Sequence, residues 1–136
     1  HDMYKKIIAT IGLSHGLAPR TLAAAQAMCD DGGKVIAVHV IEPVAGFASY
    51  YLPPNHQEEV RKSAMAAMAE RIGDMKNVEP VILIGNAGHT LTEYAEEIGA
   101  DLIIVGSHRP EFKDYLLGAT AARIVRYAPC SVHVLR

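Results

Sequence analysis

Two glycine-bearing segments have residue types that could bind a charged ligand. Gly106-Ser107-His108-Arg109 leaves an apolar run, and Gly118-Ala119-Thr120 opens an alanine-rich helical stretch. Glycine lets the backbone approach a ligand closely. The first turn of a helix offers N–H groups with no internal acceptor and a partial positive charge, which suits a phosphate. Thr120 adds a hydroxyl, and His108 or Arg109 could add donors or a cation. Scattered glycines also mark plain strand and helix ends, so spacing alone leaves both readings open. A third segment, Gly12-Leu13-Ser14-His15-Gly16, fits the Gly-x-Ser-x-Gly nucleophile elbow and lies between a predicted strand and a predicted helix. A hydrolase would also need a histidine base and an acid. His39, His108 and His133 qualify by type only, and the chain is much shorter than an ordinary α/β-hydrolase. A reversing turn is the expected reading, with a Ser14 esterase as the remote alternative. The seven histidines show no zinc-ligand spacing such as His-Glu-x-x-His, so no metal site is expected. Glu93, Glu96 and Glu97 read as the solvated face of a helix, and Met65, Met68 and Met75 as core filler. No residue reads as an evident catalytic base.

The elements that must position these residues alternate between strand and helix. Lys5 to Ile11 is a short apolar strand ending at Gly12. Pro19 to Asp30 has helical spacing, with Pro19 in the first turn, and Asp31-Gly32-Gly33 is read as its stop. Lys34 to Val40 is a second strand. Residues 41–55 form a long connection with Pro43, Gly46, Pro53 and Pro54, and with Phe47, Tyr50 and Tyr51 among them. These aromatics could cap a bound adenine, or cover the sheet or a dimer contact. A helix is predicted over His56 to Met75, then a strand over Val78 to Gly85 whose Pro80 favours a sheet edge. Asn86 to His89 turn into a helix ending at Gly99. Asp101 to Gly106 is the most apolar strand and is placed centrally. A helix over Ala119 to Ala128 and a strand over Ser131 to Leu135 complete the chain. Five strands alternating with four helices predict an α/β fold with a parallel sheet. Such sheets take ligands at the carboxyl ends of their strands, where strand order reverses. The segments to watch are therefore Thr10 to Gly16, Val40 to Pro43 and Gly106 to Thr120.

Composition narrows the function class. The 136 residues suit one domain, half of them are hydrophobic, and the formal charge is −2. That balance argues against charge-driven binding to nucleic acid or an anionic membrane. No apolar run approaches a membrane span of about 20 residues. With no cationic-then-apolar leader, a cytoplasmic location is the expectation. Cys29 and Cys130 are far apart and are expected to be ordinary buried thiols. His1-Asp2 reads as an expression scar, leaving a single domain over residues 3–136.

The runs Ala100-Asp101-Leu102-Ile103-Ile104-Val105-Gly106-Ser107-His108-Arg109-Pro110, Tyr115-Leu116-Leu117-Gly118-Ala119-Thr120-Ala121-Ala122 and Val125-Arg126-Tyr127-Ala128-Pro129-Cys130-Ser131-Val132 strongly resemble the universal stress protein family. Ile7-Ile8-Ala9-Thr10-Ile11, His39-Val40 and the helix from Leu91 to Ile98 fit as well, so the resemblance covers Met3 to Arg136. It implies a Rossmann-like sandwich, a parallel sheet of order 3-2-1-4-5 with helices on both faces, and a homodimer. The edge strand Ser131 to Leu135 would pair with its two-fold copy. Many members bind ATP or AMP through Gly, two residues, Gly, nine residues, Gly and Ser or Thr; others lack the pattern and bind no nucleotide. Here Gly106 and Gly118 match the outer glycines. Arg109 stands in the second position, and Ala119 replaces the hydroxyl residue, with Thr120 beside it. A further departure is Gly12, where the family usually carries an Asp that contacts the adenosine. By resemblance, Thr10, Ile11, Gly12 and Val40 would line the adenosine. Val105, Gly106, His108 and Arg109 would flank the ribose and phosphates, with Gly118, Ala119 and Thr120 at the phosphates. No Lys-Ser/Thr Walker pair assigns Mg2+ a ligand. The implied role is ATP or AMP binding in stress response or regulation, with at most slow hydrolysis. The alternative is a nucleotide-free signalling or structural dimer.

Overall fold

The computed structural model describes residues 3–13, 18–106 and 117–136. Five strands, β1 (Tyr4–Thr10), β2 (Cys29–Ile41), β3 (Val78–Ile84), β4 (Leu102–Gly106) and β5 (Ser131–Leu135), form one sheet of order β3-β2-β1-β4-β5. Every neighbouring pair is parallel. The four helices are α1 (Ala18–Met28), α2 (His56–Ile72), α3 (Ala87–Ile98) and α4 (Ala119–Tyr127).

Strand alternation divides the core into two layers. Ile7, Ala9, Val35, Ala37, Leu102 and Ile104 face one side and pack with Leu22 and Ala25 of α1 and Met68 and Ile72 of α2. Ile8, Ile36, Val38, Ile103 and Val105 face the other side and pack with Leu91 and Ala95 of α3 and Ala121 and Ile124 of α4. Both faces of β1 and β4 are thus covered, which is why Ile7-Ile8-Ala9 and Leu102 to Val105 are continuous apolar runs rather than alternating ones. The apolar strand Leu102–Gly106 lies inside the sheet, between β1 and β5. Pro80 sits on β3, an edge strand, in register with Ala37.

Three boundaries differ from the sequence expectation. Asp31-Gly32-Gly33 do not separate α1 from β2. The helix ends at Met28, and these residues belong to an excursion within β2. Tyr4 pairs with Cys29 and Lys6 with Lys34, so β2 spends five residues where β1 spends two. Gly32 supplies a φ of +81° there, and Gly33 lies so close to Cys29 Sγ and the Lys5 carbonyl that a Cβ would come within 2.9 Å of each. Helix α2 stops at Ile72 because Gly73, at φ +58°, turns the chain and donates its N–H to the Ala69 carbonyl. The connection at 41–55 contains a short 3-10 helix, Gly46–Tyr51.

Candidate functional site

The order β3-β2-β1-β4-β5 reverses its direction of growth between β1 and β4. From β1 the chain adds β2 and β3 on one flank, then returns to add β4 and β5 on the other. Helix α1, which follows β1, and helix α4, which follows β4, therefore lie on opposite faces of the sheet, and the carboxyl ends of β1 and β4 border a mouth. Thr10 ends β1 at this mouth. Its Oγ1 donates to the Ile104 carbonyl at 2.8 Å, tying β1 to β4 one position past the registered pair Ala9 and Ile104. Ile11 is buried, and its N–H donates to the Val38 carbonyl at 2.8 Å. Gly12 follows, half-buried.

His39, which the sequence offers only as a histidine by type, is also at this mouth. Its Nδ1 lies 2.8 Å from the Ile11 carbonyl. A carbonyl only accepts, so Nδ1 carries the proton and donates. On α2, Arg71 donates from one guanidinium nitrogen to the Ala67 carbonyl at 3.2 Å and from the other to the Leu13 carbonyl at 3.1 Å. Neither contact has a local sequence signal.

Val40 and Val105 point to the α3–α4 face and pack in the same cluster as Leu117 and Ala121. Leu117 and Ala121 bracket Gly118, Ala119 and Thr120, so the start of α4 lies over the same face of the sheet as Val40 and Val105. Gly106 ends β4 in register with Leu135. Gly118 is the N-cap of α4, with φ −62° and ψ 163°, and has no side-chain cap bond. Its carbonyl accepts from the Ala122 N–H at 2.9 Å, the first bond of the helix. The N–H groups of Ala119, Thr120 and Ala121 have no acceptor inside the helix. Gly118 and Ala119 are exposed and Thr120 is half-buried. An N-terminus of this kind can receive an anion on its amides.

The structure thus gathers Thr10, Ile11, Gly12, Val40, Val105, Gly106, Gly118, Ala119 and Thr120 at the carboxyl side of the sheet. His108, Arg109, Ser14 and His15 lie outside the described residues. Phe47, Tyr50 and Tyr51 do not cover the sheet. They stand on the 3-10 helix at 73%, 85% and 80% exposure. A groove of about 260 Å³ lies between that connection and the start of α2, walled by Pro43, Leu52, Pro53, His56 and Val60. It opens on the α2 side, the face opposite Val40. Among the described residues no group of His, Cys, Asp and Glu could hold a metal ion. None of their helices is long and apolar enough to cross a membrane.

Cys29 and Cys130 are remote from the mouth, at the amino ends of β2 and β5, and are half-buried free thiols rather than fully buried ones. Burial, with the carboxylates of Asp30 and Asp101, pushes the Cys29 thiol above its ordinary value; burial, with Asp101, does the same to Cys130.

Comparison with known proteins places this geometry. The family model described as "Universal stress protein family" matches residues 3–136. Universal stress protein A homolog 1 of Coxiella burnetii is 33% identical over 135 residues, covering 95% of this chain and 94% of that protein. The solved structure of hypothetical protein MJ0577 superposes with a TM-score of 0.79 at 23% identity, over 98% of this chain and 96% of that one. The universal stress protein from Archaeoglobus fulgidus in complex with dAMP has a TM-score of 0.64 at 17% identity, over 99% and 100%. An Arabidopsis thaliana family member with AMP bound has a TM-score of 0.62 at 14% identity, over 96% and 90%. With the reversal between β1 and β4, the full-length family match and the Coxiella relative all in agreement, the chain belongs to the universal stress protein family.

Proposed function

We propose that this chain binds an adenine nucleotide, ATP or AMP, at the mouth between β1 and β4, as part of a stress-response or regulatory role. The observation that carries the reading is the start of α4. Gly118 caps the helix without a side chain, and its flanking residues Leu117 and Ala121 belong to the same apolar layer as Val40 and Val105. Phosphate would sit on the amides of Ala119 and Thr120, with the Thr120 hydroxyl and Gly106 beside it and with His108 and Arg109 as further donors. Thr10, Ile11, Gly12, Val40 and Val105 would line the adenosine. Support by analogy comes from the relatives with dAMP and AMP bound. Binding rather than turnover is the proposed chemistry, with hydrolysis at most slow. A homodimer through β5 and a cytoplasmic location complete the proposal.

A nucleotide-free dimer is the second reading. It is favoured by Gly12, which offers no carboxylate to an adenosine, by Arg109, which stands where the nucleotide-binding pattern has a glycine, and by Ala119, which offers no hydroxyl. Losing one charged hydrogen bond costs about 1.5–3 kcal/mol, which weakens binding tenfold or more without abolishing it. Calorimetry of ligand-stripped protein with ATP, AMP and cyclic AMP separates the two readings. Saturable heat with ATP or AMP supports the first; no heat at millimolar nucleotide overturns it. Absorbance near 260 nm in freshly purified protein gives an early sign, because the chain has no Trp.

A further inference from the structure

The segment that crosses the mouth, Ile11-Gly12-Leu13, is fastened from outside itself at three backbone groups. The Ile11 N–H donates to the Val38 carbonyl at 2.8 Å. The Ile11 carbonyl accepts from His39 Nδ1 at 2.8 Å. The Leu13 carbonyl accepts from Arg71 at 3.1 Å. Two of these fastenings come from side chains, one on β2 and one on the last turn of α2. Arg71 also bonds the Ala67 carbonyl of its own helix, so its guanidinium is held on the helix end as it reaches across. Glycine at position 12 would otherwise be the loosest point of the mouth, because it loses the most backbone freedom on ordering. Holding the carbonyls on either side of it removes that freedom before any ligand arrives. Both carbonyls are committed to the protein.

We infer that His39 and Arg71 are positioning residues that preorganise the Ile11-Gly12-Leu13 backbone for ligand binding at the mouth. Neither touches the ligand in this account. His39 fixes the segment from β2, and Arg71 fixes it from α2, each through a carbonyl. The inference rests on the nucleotide-binding reading above for the identity of the ligand, and on the three hydrogen bonds for the fastening itself.

The test pairs two readouts, amide hydrogen exchange at 11–13 in ligand-free protein and AMP affinity by calorimetry. Arg71 is exposed, so Arg71→Met should leave the melting temperature nearly unchanged. His39→Leu removes the donor from a half-buried site, whereas His39→Asn restores an amide N–H close to the place of Nδ1. Arg71→Met and His39→Leu are expected to speed exchange at 11–13 and to weaken AMP about fivefold to tenfold each, and His39→Asn to recover most of both losses. Faster exchange with unchanged AMP affinity in Arg71→Met overturns the inference, as does unchanged exchange in both Arg71→Met and His39→Leu. If His39→Leu fails to fold, Arg71→Met decides alone. If the wild-type protein binds no AMP, the nucleotide reading fails and with it the ligand-directed role, while the exchange readout still reports whether the fastening exists.

Discussion

Thr10 Oγ1 donates to the Ile104 carbonyl across the junction of β1 and β4, at 2.8 Å. This bond stands at the one place in the sheet where the two winding directions meet. The ladder between these strands registers only three residue pairs, Ile7 with Leu102, Ile8 with Ile103 and Ala9 with Ile104. A side chain thus supplies the last tie before the strands part.

Thr10→Val tests that tie, since valine keeps the shape and removes the donor. The expected loss is about 1 kcal/mol of stability, in the usual range for one hydrogen bond. Urea denaturation of the two proteins measures it, and equal midpoints would show that the hydroxyl contributes nothing.

Ala119→Asp separates the helix from its proposed ligand. A carboxylate in the first turn of α4 interacts favourably with the helix dipole, and stability should hold or rise by about 0.3–1 kcal/mol. The same charge would repel a phosphate on those amides, so AMP affinity should fall at least tenfold. Thermal melting and calorimetry on one preparation check both signs. Retained AMP affinity would remove the phosphate from the start of α4.

The two thiols make a pH prediction. Cys29 and Cys130 are both pushed above the ordinary thiol value in the folded protein, chiefly by burial. A raised folded value means that the native state holds the proton longer than the unfolded chain. The resulting stabilisation is fully present below the ordinary thiol value and is lost as pH rises from there through the raised folded value. Urea midpoints should therefore fall on moving from neutral to strongly alkaline buffer, and less so in the Cys29→Ala, Cys130→Ala double variant. Iodoacetamide near pH 8 should alkylate the folded protein more slowly than glutathione, and the urea-unfolded protein at the glutathione rate.

The strand and helix alternation was legible because each element carries its own period. Ile7-Ile8-Ala9 and Leu102 to Val105 are unbroken apolar runs since both of their faces are covered, and Pro80 points to the edge because it lacks a ladder donor. The excursion at Asp31-Gly32-Gly33 was not legible. Its geometry is set by pairing with Tyr4 and Lys6, residues far away in sequence, and two glycines after a helix look the same as an ordinary stop. The mouth was legible at Gly106 and Gly118 through the resemblance that their surroundings carry. His39 and Arg71 were not, because each acts on a backbone carbonyl, and a carbonyl leaves no trace in the choice of residue at its own position. The exposure of Phe47, Tyr50 and Tyr51 likewise follows from how the 41–55 connection is laid over the domain, which composition does not encode.

Pro80 gives the sheet a sidedness. A proline within an edge strand is accommodated with its ring nitrogen turned away from the ladder, so the outer rim of β3 lacks a donor in mid-strand. The rim of β5 contains no proline. Sheet-to-sheet association is therefore disfavoured on the β3 flank, and the β5 strand itself carries no such block. Molecules joined rim to rim along β5 would present only proline-blunted flanks outward, so growth would terminate at a pair and would not propagate into a fibre.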